Sequence, residues 1–431
     1  MENQDYSPLR RAVLAGLGAL TLTGVAGFSA FAQGAKRLAL KAVARKTRLK
    51  ADLPESPVSL LESNGQSASL RLQQGEELQV SLTSELPGLS AWNFTGFDGL
   101  NTIEPLAVLK PVASGATADL TIPLRQAGTF LIDRRLLDGL APVTPLIVED
   151  SKPATDRDEV LLIEDWRLLP DGRAIAPGTD PKDAITVYTA NRQPSLDLKL
   201  RPNERLRLRV INGCQRMPIG VKIDSLELRV MAIDSQPAEP FVARDGQLVL
   251  APGSRTDVFI DAPQAGTSAI TLFDGSGPRK LGQIAIAGDA ARPAPLPPAS
   301  ALPSSHLPAQ LDLKNATRIE LQLDGKTPWI APAEFSTATK PAFEIKRGRA
   351  AVVALTNKDA KPIVFRLHGH HFRLLDRLDD GWKPFWLDTL LLTPGQTQRI
   401  AFLAEHSGSW LMESTGIDWA AQKLVRFYSV A

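Results

Sequence analysis

The side chains best suited to chemistry in this chain lie in His368-Gly-His-His371, which holds three of its five histidines. On a strand, side chains two residues apart project to one face, so His368 and His370 could share a metal ion while His371 points the other way. Gly369 between them suits the end of a strand. A structural role for the pair is therefore expected, with a single adventitious Cu or Zn site as the alternative. His306, in a Pro-rich stretch, and His406, in the turn Ala404-Glu-His-Ser-Gly408, are expected to be solvated. Cys214 is the sole cysteine, so no intramolecular disulfide can form. Its setting, Arg209-Val-Ile-Asn-Gly-Cys214, reads as a strand running into a turn, and without a neighbouring base the thiol is expected to be buried and inert. Asp379-Asp380 beside Gly381 and Trp382 reads as a solvated turn, not an acid–base pair. There is no Gly-x-Ser-x-Gly elbow and no Walker-type phosphate loop.

The elements that must position these residues are strands. Leu78, Val80 and Leu82 alternate with Gln79 and Ser81; Leu206, Leu208 and Val210 with Arg207 and Arg209; Leu226, Leu228 and Val230 with Glu227 and Arg229. A period of two with frequent Gly, Pro, Asn and Asp predicts half-buried antiparallel strands. A weak repeat supports this. Leu250-Ala-Pro-Gly-Ser-Arg-Thr-Asp-Val-Phe-Ile-Asp261 leads to Gly266-Thr-Ser-Ala-Ile-Thr-Leu-Phe273, and Leu392-Thr-Pro-Gly-Gln-Thr-Gln-Arg-Ile-Ala-Phe402 to Gly408-Ser-Trp-Leu-Met412. A looser copy joins Leu109-Lys-Pro111 and Ala118-Asp-Leu-Thr-Ile122 to Gly128-Thr-Phe-Leu-Ile132. Three copies of strand, Gly corner and strand, about 140 residues apart, imply three related β-sandwiches.

A chain of 431 residues suits two or three domains, and 43% hydrophobic with 22% charged residues is ordinary for a packed protein. A formal charge of +2 gives no reason to expect nucleic acid as a partner. Arg10-Arg11 precedes the uncharged stretch from Ala12 to Ala35, and Ala30-Phe31-Ala32 offers a cleavage site before Gln33. Residues 1–32 therefore read as a twin-arginine export signal, with Val13 where a Phe is usual; a Sec signal or an uncleaved anchor is the alternative. Residues 33–54 read as a solvated basic leader. Domains are expected at 55–150, 155–290 and 311–431, the last two joined by a Pro-rich linker at 291–310. A periplasmic location follows from the export signal.

With these motifs in view, the chain resembles the multicopper oxidases over nearly its whole mature length. Asn64-Gly65 with Leu70-Arg-Leu-Gln-Gln-Gly-Glu-Glu-Leu78 resembles the start of that family's first domain, and Asp138-Gly139 with Pro145-Leu-Ile-Val-Glu-Asp150 its end. Glu159-Val-Leu-Leu-Ile-Glu-Asp-Trp166 and Leu250-Ala-Pro-Gly253 resemble the middle domain, and Pro362 to Leu375 with Trp410 to Trp419 the copper-binding end. The resemblance implies an all-β fold of three cupredoxin-like Greek-key sandwiches. In that family ten histidines and one cysteine hold four coppers. Here the first His-Trp-His motif falls on Ala91-Trp92-Asn93, ahead of Asp98-Gly99, and the second on Asp133-Arg134-Arg135. The third falls on Ile363-Val-Phe-Arg366-Leu-His368-Gly369, retaining only His368. The fourth falls on Glu413-Ser414-Thr415-Gly-Ile-Asp-Trp419, with Leu424 at the axial position.

The replacements carry their own expectation. Asp133, Arg135, Arg366 and Glu413 should converge between the first and third domains, and buried charges must pair. An ion pair of Arg366 with Glu413 or Asp133 is predicted as a copper-free pin. Ile363, Trp419 and Leu424 should fill the former blue-copper pocket. The resemblance extends to a copper-less bacterial branch of the family that serves cell division. It implies a monomeric, non-enzymatic scaffold or stabiliser, without cofactor, whose partners are periplasmic or envelope proteins, including divisome components. Two alternatives stand beside it: a protein binding a small molecule or one metal ion in an interdomain cleft, and a residual copper oxidoreductase.

Overall fold

The computed structural model describes residues 36–67, 70–326, 328–376 and 381–431. The expected export signal with Arg10 and Arg11, and the Asp379-Asp380 pair, lie outside the described residues. Among the described residues the regular structure is almost all strand, arranged chiefly as three pairs of facing sheets, each pair closed around its own apolar cluster.

The first sandwich sets a five-stranded sheet, with Lys36–Thr47 between Ser56–Ser63 and Glu77–Ser84, against a four-stranded sheet of Leu70–Gln73, Thr144–Glu149, Gly128–Asp133 and Asn93–Thr95. Leu40, Leu78, Val80, Leu82, Trp92, Phe130 and Leu146 fill it. The second is built on Arg157–Leu168, Arg205–Asn212 and Arg255–Asp261 in one sheet, and Ile219–Ile223, Gly266–Phe273 and Pro278–Ile286 in the other. The third faces Thr317–Leu323, Ala350–Asn357 and Thr397–Leu403 with Lys423–Val430, Gly408–Gly416, Ile363–Leu367 and Thr389–Leu392.

The sequence repeat marks the same event three times. Thr117–Pro123, Arg255–Asp261 and Thr397–Leu403 each lie in one sheet of their sandwich, and the strands that follow, from Gly128, Gly266 and Gly408, lie in the opposite sheet. The glycine corner is where the chain crosses over. The strands are not all antiparallel as expected. Lys36–Thr47 pairs parallel with Glu77–Ser84, Arg157–Leu168 with Arg205–Asn212, and Thr317–Leu323 with Ala350–Asn357. In each case the first long strand of a sandwich pairs with a strand running the same way, so the connection must cross over instead of turning back as a hairpin.

Two expectations are corrected. The basic stretch read as a solvated leader is the strand Lys36–Thr47, whose Leu40 and Ala42 enter the core while Lys36, Lys41, Arg45 and Lys46 stay outside. Leu38, Leu40 and Ala42 keep a period of two, with Lys41 on the opposite face, which is a half-buried strand pattern. In Arg205–Asn212 every residue is buried, including Arg207 and Arg209, which were expected on a solvent face. Their guanidiniums meet Asp150, Asp158 and Asp257 at 2.6–2.7 Å, because this face abuts the first sandwich.

Two buried charge clusters and the candidate site

Arg366 and Glu413 face each other on neighbouring strands of the third sandwich, in register. Arg366 Nη1 lies 3.5 Å from Glu413 Oε1 and 3.7 Å from Asp133 Oδ2 of the first sandwich, so the predicted ion pair is formed with both carboxylates. The structure adds a third anchor. Arg366 Nη2 donates to the carbonyl of Pro252 at 3.2 Å, bringing the second sandwich into the same contact. The neighbouring Gly253 has φ +86, and a Cβ there would lie 1.6 Å from Arg366 Nη2. Glycine is required here for the guanidinium to pass.

Arg135 closes on Asp133 with Nε to Oδ1 at 2.9 Å and Nη2 to Oδ2 at 2.7 Å, and its Nη1 donates to the carbonyls of Gly213 and Cys214. Glu413 also receives Lys423 Nζ at 2.9 Å, His368 Nε2 at 2.9 Å and Asn93 Nδ2 at 3.3 Å. His368 Nδ1 lies 3.1 Å from Glu104 Oε1. Burial pushes Glu413 upward, but Lys423, Arg366 and His368 together hold it well below the ordinary glutamate value. Asp133 is likewise held low: burial opposes ionisation, and Arg135, Lys423 and Arg366 outweigh it. Burial lowers His368, and Glu104 and Glu413 reverse that, raising it to about 9. Carboxylates only accept, so His368 donates from both nitrogens and is an imidazolium at neutral pH.

The other positions that the resemblance aligns with copper ligands divide by environment. Ala91 packs in an apolar cluster with Leu411, Val425 and Phe427. Ile363 lies in the core of the third sandwich and Leu424 packs against it. Trp419 does not join that core. It is buried at the boundary with the second sandwich, where its carbonyl accepts from Gly178 N at 2.8 Å. Ser414 and Thr415 are buried beside Glu413. Cys214 is buried, and desolvation raises its thiol pKa.

These residues do not fit copper. In place of neutral imidazoles with free lone pairs the first and third sandwiches present two guanidiniums, one ammonium and one imidazolium, which repel a metal cation. Ile363, Ser414, Trp419 and Leu424, which the resemblance aligns with the blue-copper ligands, supply neither thiolate nor imidazole. Among the described residues no group of three or more His, Cys, Asp or Glu side chains is arranged to hold a metal ion.

A second buried cluster, about His371, gave no signal in the sequence. His371 Nδ1 lies 2.8 Å from both oxygens of Asp98, in the first sandwich, and its Nε2 donates to the carbonyl of Asp234, in the second, at 2.6 Å. Both nitrogens again face acceptors. Burial lowers His371, but Asp98 and Asp388 raise it to about 9. Arg255 sits beside it, with no exposed surface, 2.8 Å from Asp388 Oδ2 and 3.6 Å from Asp234 Oδ1. Gln236 Nε2 donates to Asp98 Oδ2 at 3.2 Å. All three sandwiches meet at this point.

The expected sharing of one face by His368 and His370 fails. Gly369 has φ +75 and lies against the Trp410 ring, so the strand ends there and the alternation stops. His370 turns to Tyr428, with Nδ1 2.7 Å from the hydroxyl, and burial lowers it to about 3. His406 is not solvated. It is half-buried, with its ring 5.4 Å from that of His370 and its backbone N–H donating to His370 Nε2. His306 is largely exposed, with Nε2 3.9 Å from Asp98 Oδ2. Glu104 and Lys423 were also missed, since neither stands in a motif position.

Family models described as multicopper oxidase match residues 158–282 and 307–430. A multicopper oxidase from Pseudomonas thermotolerans superposes with a TM-score of 0.79 at 24% identity, over 92% of this chain and 100% of that one. Lac15, from a marine microbial metagenome, gives 0.73 at 24% identity over the same shares. McoA from the hyperthermophile Aquifex aeolicus gives 0.73 at 17%, over 92% and 96%. No curated protein sequence matches.

Proposed function

The chain belongs to the multicopper oxidase family, and we propose that it is a copper-free, non-catalytic member that acts in the periplasm as a scaffold or stabiliser. The observation that carries this reading is the pairing of Arg135, Arg366, Lys423 and His368 with Asp133, Glu413 and Glu104 where the family holds its copper cluster. These contacts join sandwiches; each carboxylate already faces a cation, and no thiolate stands among these residues. The outer surface is then where a protein partner would bind. The family's copper-less branch, represented by the bacterial cell-division protein FtsP, also called SufI, is the nearest functional parallel, and the expected partners are divisome or other envelope proteins.

The test measures two things on one sample: metal content after expression with excess copper, and the envelope proteins that copurify from the periplasm. Substoichiometric copper with no blue absorbance or paramagnetic signal, together with capture that surface substitutions abolish, supports the proposal. A stoichiometric copper signal overturns it in favour of a residual oxidoreductase.

A further inference from the structure

Beside the His371 cluster lies a cavity of about 290 Å³ that neither charge cluster fills. Its wall includes Phe97, which stacks on the buried ring of Phe130 at 4.1 Å between centroids and 22° between planes, with Leu100 and Pro123 alongside. This is a flat apolar surface. The polar lining comes from three separate segments: Arg125 and Gln126 of the first sandwich, Ser304 to His306 of the Pro-rich connection, and His406 of the third sandwich. Gly96, with φ +100, lets the wall close in, since a Cβ there would lie 2.4 Å from Ser235 Oγ.

The charge of the opening is unbalanced. Asp98 is the one carboxylate among the lining residues, and both of its oxygens face the His371 imidazolium. Arg125 is exposed and makes no ion pair among the described residues. Arg125, His306 and His406 all line this one space; burial lowers the His406 pKa, Asp98 and Glu405 act the other way, and His306 and Arg125 add to the lowering. A cation finds no ligand set here; an anion finds an arginine beside an aromatic face.

We infer that this cavity binds a small organic anion with a flat apolar body, of the class of aromatic carboxylates, the ring on Phe97 and the carboxylate towards Arg125. The volume is at the lower end of small-ligand sites, about 300–1,000 Å³, and suits a one- or two-ring acid. A ligand held by the first and third sandwiches and by the Pro-rich connection that leads into the third would stabilise the junction, whatever the outer surface binds. The inference does not depend on the copper-free reading.

Full-length purified protein is titrated with 2-naphthoate, hexanoate and inorganic phosphate, with binding followed by calorimetry. Saturable binding of one 2-naphthoate per chain is expected, with hexanoate at least about tenfold weaker and phosphate not competing. Arg125→Gln weakens naphthoate by about tenfold or more, the worth of a charge-assisted hydrogen bond, with an unchanged melting curve in the absence of ligand because the side chain is exposed. Phe97→Leu, which keeps apolar volume but removes the ring, weakens it as well. Absence of saturable naphthoate binding, binding indifferent to Arg125→Gln, or phosphate competing as well as naphthoate would each overturn the inference.

Discussion

The cluster around Glu413 and the cluster around His371 use the same physics on different plans. In the first, Arg366, His368, Glu413 and Lys423 all belong to the third sandwich and reach out to Asp133, Glu104 and the Pro252 carbonyl. In the second, Asp98, Asp234 and Asp388 come one from each sandwich and surround His371 and Arg255. With Arg135, which closes on Asp133, four cations meet three carboxylates in the first cluster, whereas two cations meet three carboxylates in the second. Both are closed to solvent, so each charge depends on its partners: the effective cost of burying an unpaired ion is several kcal/mol. The first cluster occupies positions that the family resemblance assigns to metal ligands, whereas the second joins the three sandwiches through histidine, arginine and aspartate side chains.

The contrast can be broken by removing the centre of each cluster. Glu413→Ala strands Arg366, Lys423 and His368 together, and should cost about 3–5 kcal/mol in denaturant unfolding. A smaller loss than that of the corresponding change at Asp98 would mean that the former copper position is not the main lock. Alkaline pH should weaken both clusters. His368 and His371 are raised to about 9 in the fold from an unfolded value near 6.5, so the stability they add is complete below about pH 6.5 and is lost as pH rises through about 9. Each cluster should account for about 2–3 kcal/mol of that loss, and His371→Gln should remove close to half of the pH dependence between pH 7 and 10.

Asp98→Asn keeps the shape but takes the anion from His371, and about 2–3 kcal/mol is expected in the same assay. It should also lower the pH at which the remaining His371 contribution disappears. The smallest change is Gly253→Ala. A Cβ at φ +86 presses on Arg366, and about 1–2 kcal/mol is expected, with Arg366→Leu in the same chain relieving the clash and making the two substitutions non-additive.

Much of the fold was legible because β patterns are local. Leu78, Val80 and Leu82 entered the core as their alternation required, and the three Gly corners fell at the three crossings between sheets. The errors share one cause. Arg207 and Arg209 carry the pattern of a solvent face, and nothing nearby in the chain says that a second sandwich covers it. Lys36 to Lys46 looked like a leader because its cations outnumber its core residues, although Leu40 and Ala42 keep a strand's period. In the candidate site, Arg366, Glu413 and Asp133 were found because each stands in a motif. Glu104, Lys423 and Asp98 with its partners were not, since their significance exists only across sandwich boundaries.

The sequence by itself determined the strand periodicity, the threefold repeat and the presence of charged, hydroxyl and apolar side chains where the resemblance would expect imidazole and thiolate, because residue type and spacing are properties of the chain. Only the tertiary structure decided which charges meet. Asp98, Asp234 and His371 are separated by more than a hundred residues at each step, and an ion pair is set by distances of a few ångströms. For the same reason the fates of His368, His370 and His371, adjacent in sequence, diverged into two charged clusters and one neutral contact with Tyr428.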